Sequence, residues 1–586
     1  MTLPVLNAST SSIAITQPDF ATLDAQITQL SDRKADWLTV SIADRLIYLR
    51  ECLTGVQAVA AAWSQASCLA KGIDPDTALA GEEWLAGAVA TAMGLRSLMT
   101  TLEAKGQRSL QVRARELQAN SPVNSRTNSQ AIVQVFPENW MESLLFLGHR
   151  GEVWLEPGQP ASAGLVYQQK PDHGQLCLVL GAGNLSCIPI LDAIHKLFVE
   201  DQVVLLKMNP VNDYVGRYIQ QALQPLVQAG FLQVVYGDAR VGAYLCQHSQ
   251  VDTIHITGSH HTHDCIVWGE NPIEQKAIGQ PLLPKPITSE LGGVTPIFVV
   301  PGQWSKAALQ FQARQVAASV AHNASFDCVA GKVLVLAEGW AQRQEFLELV
   351  QQTLAQIPPR KAYYPGAWER YETICDRYPQ AQPLTPSHLL IADTADSPAA
   401  DRPIPWTFIP QVSAQAGEWI LTQEAFCGVL AEVTLPAQDV ETYLQQAVAF
   451  GNETIWGNLG CMILVDPRSQ RCYATALENA IAQLQYGIIG VNIWAGTAFL
   501  FPGIAWGAFA GNPLEAVQSG RGFVHNTYLL EHPQKSVFYA PFQIFPTPTW
   551  FADHRNLKQV AQRYLDWLVH PNLWGVIKVA IAAVQG

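Results

Sequence analysis

Between Leu176 and Gly293 the chain alternates short apolar runs with helix-period segments, and this alternation constrains the fold more than any other feature. Leu176–Leu180 and Val203–Leu206 read as strands buried on both faces, with Phe231–Tyr236 and Asp252–Thr257 as further strands. Leu191, Ile194, Leu197 and Phe198 recur at helical spacing, and Tyr214 to Val227 reads as another helix. Strands joined through helices pair in parallel, which predicts a doubly wound sheet. Such sheets bind ligands beyond the carboxyl ends of their strands. Asn184, Lys207 and Gly258 all stand just after predicted strands, where a ligand would lie.

A second strand–helix series follows. Pro296–Val300 and Val333–Leu336 read as strands, Ser305–Ala321 and Trp340–Ile357 as helices. The theme returns in Glu418–Val433, in a helix over Asp439–Phe450 and in Ile463–Val465. At 586 residues the chain exceeds what one hydrophobic core organises. The expected architecture is α/β, with two doubly wound parallel-sheet domains, a helical N-terminal part and an extra C-terminal tail. The N-terminal part, Ala21 to about Leu117, carries helical spacing at Leu46, Leu49 and Leu53 and again at Trp84, Leu85, Val89 and Met93. Residues 1–20 are expected to be frayed and Asn120–Gln130 to be a loop. Ile132–Gln169 suggests strands or a hairpin, including the apolar patch Gly164–Tyr167. The expected divisions are 21–285 for the helical lead-in and first sheet domain and 286–480 for a second, thiol-bearing domain. Residues 481–523 are then expected to return to the first domain, and 524–586 to form an extension.

The net charge of −13 argues against non-specific nucleic-acid binding. It leaves an anionic cofactor open, because local lysines and backbone N–H groups can offset it. Eleven scattered cysteines, with no C-x-x-C pair, suggest reduced thiols and a cytoplasmic setting. Met1–Phe20 lacks the basic-then-apolar pattern of a secretory signal, and no apolar run is long enough for an expected membrane span. His260, His261 and His263 invite a metal, but neighbours on a helix opening rarely converge on one ion, so no metal is expected.

The motifs, taken together, resemble the aldehyde dehydrogenase superfamily from about Tyr167 to Gly522. Gly183-Asn184 through Pro189 resembles that family's strand–Asn–Pro turn, and Val203–Lys207 its strand ending in lysine. Ile256-Thr257-Gly258-Ser259 resembles its Phe-Thr-Gly-Ser turn, and Pro286–Gly293, containing Ser289-Glu290-Leu291-Gly292-Gly293, is the strongest match. Asn323 and Cys328 lie where the nucleophile segment belongs. Glu424-Ala425-Phe426 resembles a Glu-x-Phe that holds the nicotinamide ribose, and Gly490-Val491-Asn492 a late motif. Four departures stand out. Met208-Asn209-Pro210 replaces Pro-Ser-Glu, and His260-His261-Thr262-His263 lacks a second glycine. Ser325-Phe326-Asp327 precedes the cysteine in place of Gly-Gln-x, and Phe426-Cys427-Gly428 replaces Phe-Gly-Pro. The first leaves the choice between NAD and NADP open, and the second implies an altered pyrophosphate seat. Asp327 would raise the thiol pKa if it faced Cys328.

The resemblance implies oxidation of an aldehyde to a carboxylic acid with NAD or NADP. Cys328 would attack the carbonyl, Asn184 and the Cys328 N–H would hold the oxyanion, and Glu290 would activate water against the thioester. Lys207 would bind the adenosine ribose or its phosphate, Gly258 and Ser259 the pyrophosphate, and Glu424 with Phe426 the nicotinamide side. Two alternatives remain open at this level: an acyl-thioester reductase, and a silent relative that binds nucleotide or a partner. The resemblance further implies a homodimer or homotetramer with a small-molecule aldehyde as substrate. The apolar tail residues Leu565, Leu568, Leu573, Val576 and Ile577, with Trp567 and Trp574, leave membrane contact a minor possibility.

Overall fold

Two β-sheets divide the strand–helix series between them. The computed structural model describes residues 19–116, 129–386, 389 and 402–586; nearly all of the predicted frayed start, most of the predicted 120–130 loop and part of the Pro- and polar-rich stretch 378–410, which reads in sequence as loops around short strands, lie outside the described residues. The first sheet has six strands in the order Gly520–Arg521, Ile287–Leu291, Thr253–Gly258, Leu176–Leu180, Val203–Lys207 and Leu232–Val235. The last five run parallel, and Gly520–Arg521 pairs antiparallel at the edge. Leu176–Leu180 leads to a neighbour on one side and, after Leu232–Val235, the chain returns to its other side at Thr253–Gly258. Strand order therefore reverses there, which opens a crevice at the carboxyl ends.

The second sheet has eleven strands. Its parallel heart is Ile488–Val491, Gly460–Leu464, Thr295–Val299, Gly331–Ala337, Val429–Leu435 and Thr407–Val412, and an antiparallel arm of Gln111–Glu116, Ser129–Phe136 and Arg150–Leu155 extends it. These central strands carry almost uninterrupted apolar residues because helices cover both faces. The α/β architecture expected from the strand–helix series is thus present, with the helical lead-in in Phe20–Thr39, Ile42–Ala70 and the segment ending at Glu103. The helical stretch Ala78–Glu103 is long and apolar enough to cross a membrane, but 78% of its most apolar window is buried inside the protein, so core packing accounts for its composition.

Three details differ from the sequence-based expectations. Ile287–Leu291, expected to open the thiol domain, pairs in parallel with Thr253–Gly258 and completes the first sheet. The chain crosses to the second sheet only at Gly292-Gly293. The patch at Gly164–Tyr167 leads into a one-turn helix, Leu165–Gln168, instead of a strand. Residues 481–523 mostly serve the second sheet through Ile488–Val491, and only Gly520–Arg521 returns to the first.

The C-terminal tail is built into the core. Pro533–Tyr539 lies inside the second sheet, between Arg150–Leu155 and Ile488–Val491. Its Lys535 is fully buried and donates to the carbonyls of Ile481, Ala482 and Leu484 at 2.7, 2.7 and 2.9 Å, satisfying the end of the helix Ala474–Gln483. Helix Leu557–Val569 packs against the Gly81–Trp84 turn, where a Cβ on Gly81 would lie 2.5 Å from Leu557 backbone. Leu565, Trp567, Leu568 and Val576 are buried by this packing, whereas Leu573, Trp574 and Ile577 face outward.

Candidate active site

The nucleophile segment leaves the helix Lys306–Ala321 through three consecutive left-handed residues, Asn323, Ala324 and Ser325, at φ 49°, 56° and 71°. Each non-glycine residue in that region costs on the order of 1 kcal/mol or more. Specific side chains hold the loop. Lys332 Nζ donates to Ser325 Oγ at 2.6 Å and to the Cys427 carbonyl at 2.8 Å, and Asn323 Nδ2 donates to the Phe326 carbonyl at 3.1 Å. From beneath, the buried Lys71 bridges Glu83 (2.9 Å) and Asn323 Oδ1 (3.0 Å). Trp494 Nε1 donates to the Val329 carbonyl at 2.7 Å on the far side of the cysteine.

This loop delivers Cys328 to Glu290. The thiol Sγ donates to Glu290 Oε1 at 3.2 Å, although 38 residues separate the two in sequence. Glu290 ends the strand Ile287–Leu291 and is 2% exposed. Burial, and next the charge of Asp192, push its carboxyl up to about 7. The Trp506 indole lies alongside and eases that shift, but neither Trp506 Nε1 nor Glu290 Oε2 reaches a partner at hydrogen-bond geometry. Burial, then the adjacent Glu290 charge, push the Cys328 thiol well above its ordinary range. The resting pair is therefore a neutral thiol donating to a carboxyl that titrates near neutrality. Proton transfer from sulfur to Glu290 would leave a thiolate beside a neutral carboxyl.

Asn184 joins them through the backbone. Its Nδ2 donates to the Phe326 carbonyl at 2.9 Å, two residues before Cys328, and its own carbonyl accepts from Tyr363 OH at 3.1 Å. Asp327 does not face the thiol in the way its sequence position allowed. Its Oδ2 meets His322 Nδ1 at 2.8 Å and its Oδ1 accepts from Asn323 at 3.2 Å, so it is a minor contributor to the thiol's shift.

Cys328 lies between two cavities. On one side a cleft of about 980 Å³ runs along the carboxyl ends of the first sheet, lined by Asn184, Lys207, Gly258, Ser259, Glu424 and Phe426 among others. That size is at the upper end of small-molecule sites, about 300–1,000 Å³. Lys207 is largely buried at its wall, and desolvation draws its pKa down against the nearby carboxylates of Asp238 and Asp213. Ser259 caps the helix His260–Trp268 by accepting from Thr262 N at 3.2 Å, so the first turn of that helix opens onto the cleft. Glu424 sits directly against Gly292, where a Cβ would lie 2.0 Å from its carboxylate. Burial pushes Glu424 up to about 7 against the pull of Lys332 and Arg370. Phe426, at φ 42°, packs on Tyr364 and Phe326, with ring centres 4.9 and 5.6 Å apart. On the other side of the thiol lies a cavity of about 60 Å³, walled by Leu85, Leu185, Val329, Trp494, Phe499 and Trp550 and containing His322 and Asp327. His260 and His261 line the cleft with ring centres 3.8 Å apart, His263 is buried, and no group of three or more His, Cys, Asp or Glu side chains that could hold a metal ion occurs among the described residues.

Residues 177–365 match the family model described as the aldehyde dehydrogenase family. No curated protein sequence matches the chain. Solved structures do: the aldehyde dehydrogenase KauB from Pseudomonas aeruginosa superposes with a TM-score of 0.58 at 16% identity, covering 89% of each chain. The fold is that of the aldehyde dehydrogenase superfamily. A mutant of aldehyde dehydrogenase C from Pseudomonas syringae, solved in complex with NAD+ and octanal, gives a TM-score of 0.59 at 14% identity over 91% of each chain. Lactaldehyde dehydrogenase from Escherichia coli gives 0.55 at 14% identity, over 89% of this chain and 92% of that one.

Within this aldehyde dehydrogenase fold, the matched segment contains Asn184, Lys207, Gly258, Ser259, Glu290 and Cys328 and stops short of Glu424 and Phe426. The structure brings all eight to one cleft. Several contributors had no readable signal. Asp238 follows the strand Leu232–Val235, lines the cleft and lies near enough to Lys207 to raise its pKa, while its Oδ1 caps the next helix by accepting from Arg240 N and Val241 N. The Gly237-Asp238 turn after a strand was its only trace in sequence. Asp192, Lys332, Tyr363 and Trp506 reach the site from elements that look like ordinary core, and only packing reveals them.

Proposed function

We propose that this protein oxidises a small aldehyde to its carboxylic acid with NAD or NADP, through a thiohemiacetal and a thioester on Cys328. The observation that carries this reading is the 3.2 Å hydrogen bond from Cys328 Sγ to Glu290 Oε1 between two cavities. Glu290 takes the thiol proton, and the thiolate attacks the carbonyl carbon from the small-cavity side. The Asn184 amide and the Cys328 backbone N–H hold the resulting oxyanion in this reading, and each such donor is worth roughly 3–4 kcal/mol. When bound, the nicotinamide would supply the acceptor for the hydride that leaves as the oxyanion collapses. Glu290, the nearest base to the sulfur, must first pass the thiol proton on to solvent, and as a carboxylate again it then takes a proton from the water that releases the acid. A deacylating base so close to the thiol favours hydrolysis over the reductase alternative.

The cleft fits a dinucleotide. Lys207 and Asp238 stand at one end for a ribose or its phosphate, the opening of the helix at Ser259 offers N–H groups for a pyrophosphate, and Glu424 stands at the thiol end for a second ribose. NAD+ in the aldehyde dehydrogenase C complex supports that choice of cofactor class. Eleven free thiols support a reducing, cytoplasmic setting. The test is NAD(P)H formation with a panel of short aldehydes.

Two expected outcomes follow from the electrostatics and the packing. Where deacylation limits turnover, kcat rises as pH passes through about 7, because Glu290 must be ionised to act as base. Asp192→Asn removes a negative charge that raises Glu290, so Glu290 ionises at lower pH and the limb moves in the acid direction; a pH–rate profile checks this. Gly292→Ala forces a methyl group into the Glu424 carboxylate. The displaced Glu424 is expected to weaken cofactor binding or turnover about 10- to 100-fold, measured by NAD(P)H fluorescence titration and steady-state kinetics.

A further inference from the structure

The small cavity behind Cys328 is lined mainly by apolar side chains, with polar groups at His322, Asp327, Thr497, Thr549 and the Trp550 indole. His322 lines it, 15% exposed, with its Nδ1 held 2.8 Å from Asp327 Oδ2 and its ring set against Trp494 at 4.8 Å between centres. Both supports are themselves fixed, Asp327 by Asn323 and Trp494 by the Val329 carbonyl. With Nδ1 engaged, Nε2 is the free nitrogen of a ring whose orientation is locked. On the same lining is Trp550 from the C-terminal tail, whose buried Nε1 has no partner in the protein. Asp327 and the buried Glu82 favour the charged imidazolium, while burial and Arg360 oppose it, and the balance is upward.

We propose that His322 is a specificity residue that selects short aldehydes bearing an oxygen at their far end, by donating a hydrogen bond from Nε2 to that hydroxyl, ketone or carboxylate oxygen. The claim rests on the dehydrogenase reading above and adds the substrate class. Three features carry it. The cavity, at about 60 Å³, favours a short tail over a long or aromatic one. Its walls of Leu85, Leu185, Val329, Phe499 and Leu500 offer a distal oxygen no other charged donor. A donor in such a place discriminates strongly, because an apolar analogue leaves the buried polar group unpaired.

The test compares two aldehydes of equal length, one ending in a hydroxyl or carboxylate and one in methyl groups, on the full-length protein. The wild type is expected to prefer the oxygenated aldehyde by about 30-fold or more in kcat/KM, and His322→Phe to bring that ratio to near 1. His322→Gln, which retains a donor, is expected to recover part of the ratio. A second measurement needs no turnover: protection of Cys328 from iodoacetamide by the matching carboxylic acids. The oxygenated acid is expected to protect at about tenfold lower concentration in the wild type, and the two acids to become equal in His322→Phe. Equal preference in the wild type, or a preference that survives His322→Phe, overturns the proposal. Selective protection without any NAD(P)H formation would sink the dehydrogenase reading and leave the His322 site standing.

Discussion

Cys328→Ala is expected to reduce aldehyde-dependent NAD(P)H formation by about 10⁴-fold or more, the scale seen when a covalent nucleophile is removed. No substitute is at hand. Of the other cysteines, Cys187 lines the small cavity and Cys246 and Cys265 the cleft, but none has the Glu290 contact that Cys328 has. The Ala variant should still bind NAD(P)H, because the cofactor end of the cleft is untouched. Cofactor-dependent turnover that survives the change would remove the thiohemiacetal mechanism. Loss of turnover with cofactor binding retained separates chemistry from misfolding.

Glu290→Gln is expected to lower kcat by about 10²- to 10⁴-fold, the span of a general base. Two steps lose their proton acceptor, so an acylated Cys328 should accumulate and be visible by intact-mass measurement after a single turnover. The same substitution alters the thiol in a definite direction. The Glu290 charge is the second largest cause, after burial, of the raised Cys328 pKa. Removing it brings the thiol down while burial still holds it above the ordinary range. Alkylation of Cys328 should therefore lose the component that follows ionisation near pH 7 in the wild type, the pH at which Glu290 titrates. If alkylation keeps that component in Glu290→Gln, the titrating group is another one and Glu290 is not the base.

The two sheets and most of their strands were legible because buried parallel strands must be apolar on both faces, and helices between them must repeat near every fourth residue. Leu176–Leu180, Val203–Lys207 and Gly331–Ala337 carry that signature directly. Where the periodicity is short or mixed, it misled: Leu165–Gln168 is a single helical turn set by contacts with a distant segment of the same chain, including the Gly164 N–H donating to the Leu529 carbonyl at 2.8 Å. The tail was unreadable for a similar reason. Nothing local in Pro533–Tyr539 says that it enters a sheet between strands nearly 50 and 380 residues away in sequence.

Residue types and their order along the chain were enough to determine a strand–helix scaffold, a thiol, an acid and an amide in an order typical of one superfamily. Whether those groups meet was beyond any linear reading, because contacts between Cys328, Glu290 and Asn184 depend on how two sheets dock and on the left-handed loop that Lys332 and Asn323 hold in place. The titration of Glu290 near 7, the diversion of Asp327 to His322, and the closing of the small cavity by Trp550 arise from burial and three-dimensional proximity. Desolvation and short-range charge interactions are set by neighbours in space, and only the folded chain chooses those neighbours.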